Sequence, residues 1–220
     1  MKSFNSSSIE DYLKAIFELG EKDIKTQDIA NYFDFSPASV TGMLKKLSKL
    51  NLVTYKKYYG VSLTTQGRLM ALETIRHHRL IETYLIQALG YEWHEVHDEA
   101  DRLEHVISEE FEERISKIIG NPSYDPHGDP IPRKNGTMPR LLGKPLTSFT
   151  VGANIVLTRI TKQDSEILQY LAKNKLMPGE AFLIEARAPF DGPLTLNQGT
   201  KSIAIAHSLA SSIYAEQVAN

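Results

Sequence analysis

Residues 35–64, FSPASVTGMLKKLSKLNLVTYKKYYGVSLT, decide the fold of the N-terminal part of the chain. Ser36 is a favourable helix N-cap and Pro37 suits a first helical turn, so we expect a helix from Pro37 to about Leu50. The β-branched and aromatic residues around Gly60 then predict a hairpin.

Two shorter helices are predicted before this stretch. Ser8 to Leu19 places its apolar residues on one helical face, and Thr26 to Phe33 forms a second helix for which Thr26 is the expected cap. Three helices and a hairpin within about 60 residues are the element order of a winged helix-turn-helix. The sequence therefore predicts a winged helix-turn-helix DNA-binding domain over residues 1–66.

Two long helical patterns follow the hairpin. The first runs from Thr65 to about Leu89, where Gly90 is placed to end it, and the second from Glu92 to about Ile119. We expect these helices to form a metal-binding and dimerisation domain over residues 67–133. Residues 121–145 hold six of the ten prolines, which predicts irregular structure, with a linker over residues 134–147.

The C-terminal part of the sequence has short strand-like runs and one helical pattern, Ser165 to about Lys173. The predicted strands are Ile155–Ile160, Ala181–Glu185, Leu194–Leu196 and Ser202–Ile205. Such a pattern is typical of a small SH3-like β-barrel, expected over residues 148–220. The fold class predicted for the whole chain is therefore α+β with several domains.

Composition limits the possible functions. The chain of 220 residues has a formal net charge of −2, so overall charge gives no argument for nucleic-acid binding. No apolar run reaches membrane-spanning length and no signal peptide is recognisable, so we expect a cytoplasmic protein without a membrane partner. Cysteine is absent, so any metal must be bound by histidine, carboxylate or carbonyl groups.

Charge is distributed unevenly. Between Phe35 and Leu72 there is no acidic residue, but there are five lysines and one arginine. These positive charges fall on the predicted recognition helix and wing, where they would neutralise DNA phosphates; alternatively, the helix lysines form a solvated face. The residues predicted to contact DNA are Ser36, Pro37, Ser39, Thr41, Lys45, Lys46, Lys56 and Lys57.

Residues 92–113 have the opposite character, with ten acidic residues and three histidines. A continuous helix would place four potential ligands on one face: His97, Asp101, Glu104 and His105. His78 and Glu82 are spaced i,i+4 on the preceding helix, and Asp11 could approach from the first. The set exceeds what one divalent ion needs and suggests two sites. The alternative is a solvated acidic face. His77, His94, His127 and His207 lack partners at ligand spacing and are assigned to no site.

Six stretches resemble the diphtheria-toxin-repressor family of metal-dependent regulators, in family order. They are Glu10–Ile16, Phe35–Thr41, Gly60–Thr64, Arg76–Glu82, Val96–Val106 and Pro126–Pro132. The resemblance implies a repressor that binds operator DNA as a homodimer when its metal sites are filled. It implies one site of Asp11, Asp101, Glu104 and His105. It implies a second site of His78, Glu82 and His97 with a C-terminal acid, Asp164 or alternatively Glu166.

Four departures from the family pattern bear on the metal or on the operator sequence. Asp11 and Asp101 stand where iron-sensing members tend to have methionine and cysteine, and hard oxygen donors favour Mn²⁺ over softer-site ions. Lys14 replaces a glutamate ligand of the short manganese regulators, which argues against a closely spaced binuclear site. Gly42 stands where some members have a base-reading glutamine, so their operator sequence is not carried over.

The expected function is therefore a Mn²⁺-responsive repressor of metal-uptake genes, with an Fe²⁺-responsive repressor as the alternative. Clustered His, Asp and Glu residues also occur in metalloenzymes. However, a His-Glu-x-x-His motif is absent, and an enzyme would leave the lysine-rich winged helix unexplained. We therefore expect no enzymatic activity and assign no catalytic residue.

Overall fold

The computed structural model describes residues 6–218, which divide into two compact units. Of the described residues, the first comprises residues 6–78 together with residues 101–109 and 132–137. The second comprises residues 79–100, 110–131 and 138–218. None of the helices in the described part of the chain is long and apolar enough to span a membrane.

The first unit contains the predicted helix-helix-helix-hairpin order. Its elements are α1 (Ser6–Glu18), α2 (Thr26–Phe33), α3 (Pro37–Lys49), β1 (Val53–Lys56) and β2 (Gly60–Leu63). The predicted cap of α3 is confirmed, because the Ser36 hydroxyl oxygen accepts a hydrogen bond from the Ser39 backbone N–H at 3.2 Å. The predicted cap of α2 is wrong: Thr26 is the first helical residue, and Lys25 occupies the cap position without a side-chain hydrogen bond.

A single apolar core holds these elements together. Its fully buried side chains come from all three helices and the hairpin, and include Leu13, Ile16, Ile29, Leu44, Leu47 and Val61. The backbones of Ile24 and Val61 also exchange two hydrogen bonds of 2.9 Å, which ties the segment before α2 to β2. α1 is therefore fixed to both the recognition helix and the wing through this shared core.

The long helix α4 (Thr65–Leu89) matches the prediction and ends before Gly90, which has a φ of 73°. The single helix expected from Glu92 to Ile119 is wrong, because α5 (Val96–Leu103) and α6 (Glu109–Ile118) are separate. The break lies at Glu104, which is buried. Its backbone oxygen lies 3.0 Å from Nδ1 of His77. This carbonyl is thus bonded to a side chain, and Glu104 and His105 lie in a turn after α5.

Between α6 and Lys144 the chain forms no helix or strand, as the prolines predict. Part of this stretch is nevertheless buried within the second unit, including Asp125, His127 and Ile131. An isolated backbone bridge between Tyr124 and Pro130 closes it into a tight loop. Residues 124–131 therefore form a partly buried loop of the second unit.

The rest of the second unit is an antiparallel sheet with two short helices. Its elements are β3 (Lys144–Pro145), a 3₁₀ turn (Leu146–Ser148), β4 (Asn154–Ile160), α7 (Ser165–Lys173), β5 (Ala181–Arg187), β6 (Leu194–Gln198), β7 (Lys201–Ile205), α8 (His207–Ala210) and β8 (Ile213–Gln217). The strand order is β3-β8-β4-β5-β6-β7, and within residues 6–218 no backbone pairing closes β3 onto β7. The predicted SH3-like strand content is present, and β3 and β8 are additional to it.

Two candidate metal centres

The first candidate centre lies in the first unit and consists of Asp11, Glu104 and His105. Asp11 belongs to α1, whereas Glu104 and His105 lie in the turn after α5. One donor atom from each of these residues lies within 4.8 Å of the other two. Nε2 of His105 is 2.8 Å from Oδ1 of Asp11 and 3.4 Å from Oε1 of Glu104. The fold thus brings the carboxylate of Asp11 next to the carboxylate and imidazole of two residues that are far from it in sequence.

The charge of His105 reflects this environment. Its hydrogen bond to Asp11, with a second to Glu10 on Nδ1 at 2.6 Å, outweighs burial and raises the pKa of His105 to about 9. At neutral pH the metal-free side chain is therefore an imidazolium. A divalent cation that binds Nε2 must displace that proton, so binding at this centre is coupled to proton release.

Lys14 borders the first centre and forms an ion pair with one of its two carboxylates, Glu104. Its Nζ lies 2.8 Å from Oε2 of Glu104, 3.2 Å from Oδ1 of Asp101 and 3.2 Å from Nδ1 of His78. Burial acts to lower the pKa of Lys14, but Glu104 and Asp101 together raise it above its ordinary value. Asp101, expected beside Asp11 as a ligand, thus faces Lys14 and His78.

An ion has an open route to the first centre. Asp11 has 42% of its side chain exposed, whereas Glu104 has 1%. A cavity of about 520 Å³ adjoins both residues. Its remaining lining residues are Ser7, Lys14, Tyr32, Phe33, Asp101 and His105.

The second candidate centre lies in the second unit and consists of Glu82, Asp125 and His127. Glu82 belongs to α4, and the other two belong to the buried loop after α6; their donor atoms all lie within 4.8 Å of one another. His127 is fully enclosed, and its Nδ1, 3.7 Å from Oε2 of Glu82, has no hydrogen-bond partner among the described residues. A buried nitrogen without a partner is costly. A cation held by the adjacent carboxylates would provide the missing partner.

Burial governs the charges at the second centre. Burial, reinforced by the negative charges of Glu82 and Asp129, raises the pKa of Asp125 to about 7. Burial acts to lower the pKa of His127, but Glu82 and Asp125 raise it further than burial lowers it. At neutral pH the carboxyl group of Asp125 is therefore partly protonated, and a bound cation would favour its ionised form.

The loop that carries Asp125 and His127 has a defined geometry. Oδ1 of Asp125 accepts hydrogen bonds of 2.9 Å from the backbone N–H groups of His127 and Asp129. The His127 carbonyl accepts a 2.8 Å bond from the backbone N–H of Ile160 on β4. Gly128 has a φ of 89°, and a Cβ there would overlap the carbonyl oxygen of Thr158. Only glycine therefore allows this loop to pack against β4.

The resemblance grouped His78, Glu82, His97 and Asp164 into one site. In the second unit, Nδ1 of His97 lies 3.2 Å from Oε1 of Glu82. Asp164, the residue preceding α7, is exposed and lines a cavity of about 410 Å³ together with His97. His78 belongs to the first unit, where it contacts Glu104 at 2.6 Å. Glu166, the alternative acid, is exposed in the first turn of α7.

Both donor sets fit a divalent ion of moderate hardness. Each combines carboxylate oxygens with one imidazole nitrogen, and the chain has no cysteine to favour a softer metal. The unpartnered Nδ1 of His127 is an independent sign that the second centre is built for a ligand.

The predicted DNA-contacting residues lie on α3 and the hairpin. The side chains of Ser36, Pro37, Ser39, Lys45, Lys56 and Lys57 are exposed, whereas Thr41 and Lys46 are partly buried. The Thr41 hydroxyl donates to the Pro37 carbonyl at 2.8 Å within α3. The surface of α3 and the wing is therefore positive and accessible, as a phosphate-binding surface requires.

Comparison with known families gives three consecutive matches. Residues 5–61 match the N-terminal DNA-binding domain of iron-dependent repressors, residues 64–133 their metal-binding and dimerisation domain, and residues 144–217 the FeoA domain. A solved manganese-dependent transcriptional repressor in complex with manganese is 32% identical. The match covers 96% of this chain and all of the repressor, with a TM-score of 0.87. The chain belongs to the diphtheria-toxin-repressor family.

Other members of this family support the assignment. The crystal structure of ScaR with bound Zn²⁺ is 34% identical, with a TM-score of 0.79, over 96% of this chain and 99% of ScaR. The iron-dependent repressor IdeR of Mycobacterium leprae is 29% identical over 95% of this chain and 96% of its own length. The family consists of transcriptional regulators that respond to divalent metals, and its members carry DNA-binding and dimerisation domains.

Asp125 and His127 were missed by the analysis of ligand spacing. They lie more than forty residues from Glu82 in sequence, so no helical periodicity links them to it. The signal that could have found them is the Pro126–Pro132 stretch, already noted as a family motif. Its proline- and glycine-rich composition predicts a fixed loop, and fixed loops commonly carry functional side chains.

Proposed function

We propose that this chain is a Mn²⁺-activated transcriptional repressor that binds double-stranded operator DNA as a homodimer and controls metal-uptake genes. The observation that carries the proposal is the first centre. Asp11 belongs to the first helix of the winged helix-turn-helix, and it lies close to Glu104 and His105, which are 93 and 94 residues later in sequence. A cation held by the three would fix the DNA-binding helices to the segment that carries Glu104 and His105.

The donor chemistry supports Mn²⁺ as the activating ion. Carboxylates predominate at both centres, and oxygen-rich sites suit Mn²⁺. Fe²⁺ is the second candidate, because a relative that matches nearly the full chain is named an iron-dependent repressor. The bound ion supplies positive charge that draws the carboxylates together.

The mechanism that we propose acts through restricted motion. Asp11, Glu104 and His105 hold α1 in one position, and α1 shares its apolar core with α3 and the hairpin. In a dimer, two winged helices must reach half-sites about one helical turn apart. Filling the first centre would raise the fraction of dimers with the correct separation, without adding a contact to DNA. The lysines of α3 and the wing would then bind phosphates at both half-sites.

The test begins with a pool of random DNA duplexes selected for binding in the presence of Mn²⁺. Titration of the selected duplex, followed by fluorescence anisotropy, should show a large gain in affinity with Mn²⁺, a gain with Fe²⁺ under anaerobic conditions, and a smaller one with Zn²⁺. An affinity independent of every divalent ion would overturn the proposal. Metal-dependent turnover of a substrate without metal-dependent DNA binding would favour an enzyme.

The DNA surface is tested by a matched pair of variants. Lys45→Ala with Lys46→Ala should weaken binding to selected and random duplexes alike and reduce the log–log salt slope by roughly 0.9 per lost phosphate contact. Lys173→Ala with Lys201→Ala removes two exposed lysines of the C-terminal region and should change neither. Loss of sequence preference alone in the first variant would mean that these lysines read bases.

A further inference from the structure

The wing tip, residues 57–59, carries two tyrosines that project away from the core. Tyr58 and Tyr59 are 91% and 78% exposed, whereas Tyr55 on β1 is partly buried against the apolar core of the first unit. A single exposed apolar residue is ordinary on a protein surface, but adjacent large ones are typical of interaction sites. Packing within the fold therefore gives no reason for two aromatic rings at this tip.

The backbone at Tyr58 is also unfavourable for an aromatic residue. The Tyr59 N–H donates a 3.0 Å hydrogen bond to the Lys56 carbonyl, and within this turn Tyr58 has a φ of 72°. Side chains are sterically disfavoured in this left-handed region, where glycine is the usual residue. Gly60 shows such a structural requirement, because a Cβ there would lie 2.8 Å from the Ile24 carbonyl oxygen. Backbone outliers on bulky, exposed residues are instead concentrated at binding sites.

The charge around the wing tip favours a polyanionic partner. Lys56 and Lys57 directly precede the tyrosines and are exposed, and Nζ of Lys57 lies 4.9 Å from the centroid of the Tyr58 ring. No acidic residue of α3 or of the hairpin offsets these charges. A second copy of the tip would bring like charges together, whereas DNA phosphates would attract it.

The length of the hairpin indicates which part of the duplex the tip reaches. β1 and β2 pair from Val53 with Leu63, at the core, to Lys56 with Gly60, next to the tip. This ladder extends about 10 Å at roughly 3.3 Å per residue. α3 and the hairpin share one core, so with α3 in the major groove the tip lies over the neighbouring minor groove. That groove is about 6 Å wide and accepts a flat ring.

We propose that Tyr58 and Tyr59 enter the minor groove beside the major-groove site of α3, and thereby make affinity depend on base pairs that α3 does not touch. The inference rests on the proposed function, since it requires that the winged helix binds operator DNA. Each tyrosine has an apolar ring that packs against deoxyribose and a hydroxyl that donates to N3 of adenine or O2 of thymine. The 2-amino group of guanine projects into the same groove and obstructs the rings, so A·T pairs are favoured there.

The experiment measures affinities of the full-length protein for the selected duplex with Mn²⁺, by fluorescence anisotropy. Tyr58→Gly combined with Tyr59→Ala should weaken binding about tenfold, as loss of one base contact does. A second duplex carries 2,6-diaminopurine for adenine in the segments flanking the α3 contacts, as located by hydroxyl-radical footprinting. The substitution adds an amino group to the minor groove and leaves the major groove unchanged. It should weaken wild-type binding about tenfold and leave binding of the double variant unchanged.

Phe190→Ala is the matched control for loss of an exposed ring. Phe190 is fully exposed in the turn between β5 and β6, with a φ of 58°, but it belongs to the C-terminal sheet. Its removal should change the affinity for neither duplex. Urea titration separates binding from folding: glycine adopts a positive φ readily, so Tyr58→Gly should unfold at the same or a higher urea concentration than the wild type. A lower midpoint would assign the ring to the fold and overturn the inference.

The remaining outcomes separate the two proposals. Wild-type protein whose DNA affinity does not respond to Mn²⁺ contradicts the proposed function. With a normal response, equal affinities of the wild type and the double variant overturn only the role of the tyrosines. A double variant that binds every duplex more weakly, yet still discriminates against diaminopurine, would show that the rings only position Lys57. A variant that changes the sedimenting species and not the DNA affinity would make a second copy the partner; either result overturns the inference.

Discussion

The two candidate metal centres differ in how their negative charge is balanced without metal. At the first centre, Lys14 and the protonated His105 already supply positive charge. At the second, Arg79 reaches only one edge of Asp125, at 3.5 Å, and Nδ1 of His127 has no hydrogen-bond partner in the described structure. A metal at the first centre would therefore compete with the Lys14 ammonium and with the proton on His105, whereas a metal at the second would also give a buried nitrogen its missing partner. We therefore expect a metal at the first centre to be sensed and a metal at the second to stabilise the fold.

The largest effect is expected at the first centre. His105→Ala removes the only imidazole of that centre, so the Mn²⁺-dependent gain in DNA affinity should fall by at least about 100-fold, the upper end for loss of an outer partner of a metal ligand. Fluorescence anisotropy with a selected duplex measures this change. His207→Ala, which removes a histidine that belongs to neither candidate donor set, should respond as the wild type does. A normal response in His105→Ala would show that this centre does not sense metal.

The next effect separates stability from sensing. Asp125→Asn keeps an oxygen to accept the backbone bonds of the loop but removes a charge that binds metal. Wild-type protein at a Mn²⁺ concentration of 100 times its Kd should gain about 2.7 kcal/mol of unfolding free energy from one filled site. Asp125→Asn should lose most of that gain while its metal-free stability is maintained, as urea titration with and without Mn²⁺ would show.

Asp191→Asn, an exposed acid in the same unit, is the control for that experiment. It should retain the full metal-dependent gain in unfolding free energy. If Asp125→Asn also retains the gain, the second centre binds no metal of consequence, and its buried carboxylates need another explanation.

The rigidity of the second centre can be tested through two glycines with the same backbone angle. Gly128 and Gly152 both have a φ of 89°, but only Gly128 has an atom close to a built Cβ, the carbonyl oxygen of Thr158. Gly152→Ala should lower the unfolding free energy only by the cost of the left-handed backbone conformation, roughly 1 kcal/mol. Gly128→Ala should cost about 2 kcal/mol more, since the overlap is with backbone that cannot rotate away. Equal urea midpoints would mean that the loop moves without cost.

The smallest effect concerns pH. The folded pKa of His105, about 9, lies above its ordinary value of 6.5. The protonated imidazole of His105 therefore stabilises the metal-free fold fully below about pH 6.5, and this stabilisation is lost as pH rises through about 9. His105→Gln should flatten the fall in unfolding free energy over that interval. A wild-type curve with the same slope as the variant would contradict the pairing with Asp11.

The sequence predicted correctly those helix boundaries that depend on capping and on neighbouring residues. The Ser36–Pro37 start of α3, the end of α4 at Gly90 and the helix α7 all depend on neighbouring residues and were predicted within a residue or two. The break between α5 and α6 was not, because the sequence between Glu92 and Ile119 contains no glycine or proline. The helix ends there through tertiary contacts of Glu104, which local propensity does not encode.

The site shows the same division. Asp11, Glu104 and His105 were grouped from helical spacing and family resemblance, and the structure brings them within 4.8 Å. Their assignment as ligands remains a prediction. Asp101, which the helical stripe placed with them, has its Oδ1 3.2 Å from Nζ of Lys14, a residue 87 positions earlier in sequence, and its assignment as a ligand also stays a prediction. Asp125 and His127 were overlooked because a loop has no period from which to infer a shared face.

The packing around His127 gives the second centre an optical signal of its own. Trp93 is the only tryptophan in the chain, and its ring stacks on the His127 imidazole with centroids 5.1 Å apart and planes at 24°. Its indole N–H donates to the Pro126 carbonyl at 3.2 Å, so the ring is held in place. A charged imidazole quenches indole emission more strongly than a neutral one. The intrinsic tryptophan fluorescence of the unlabelled protein should therefore report the protonation state of His127 and the binding of a metal beside it.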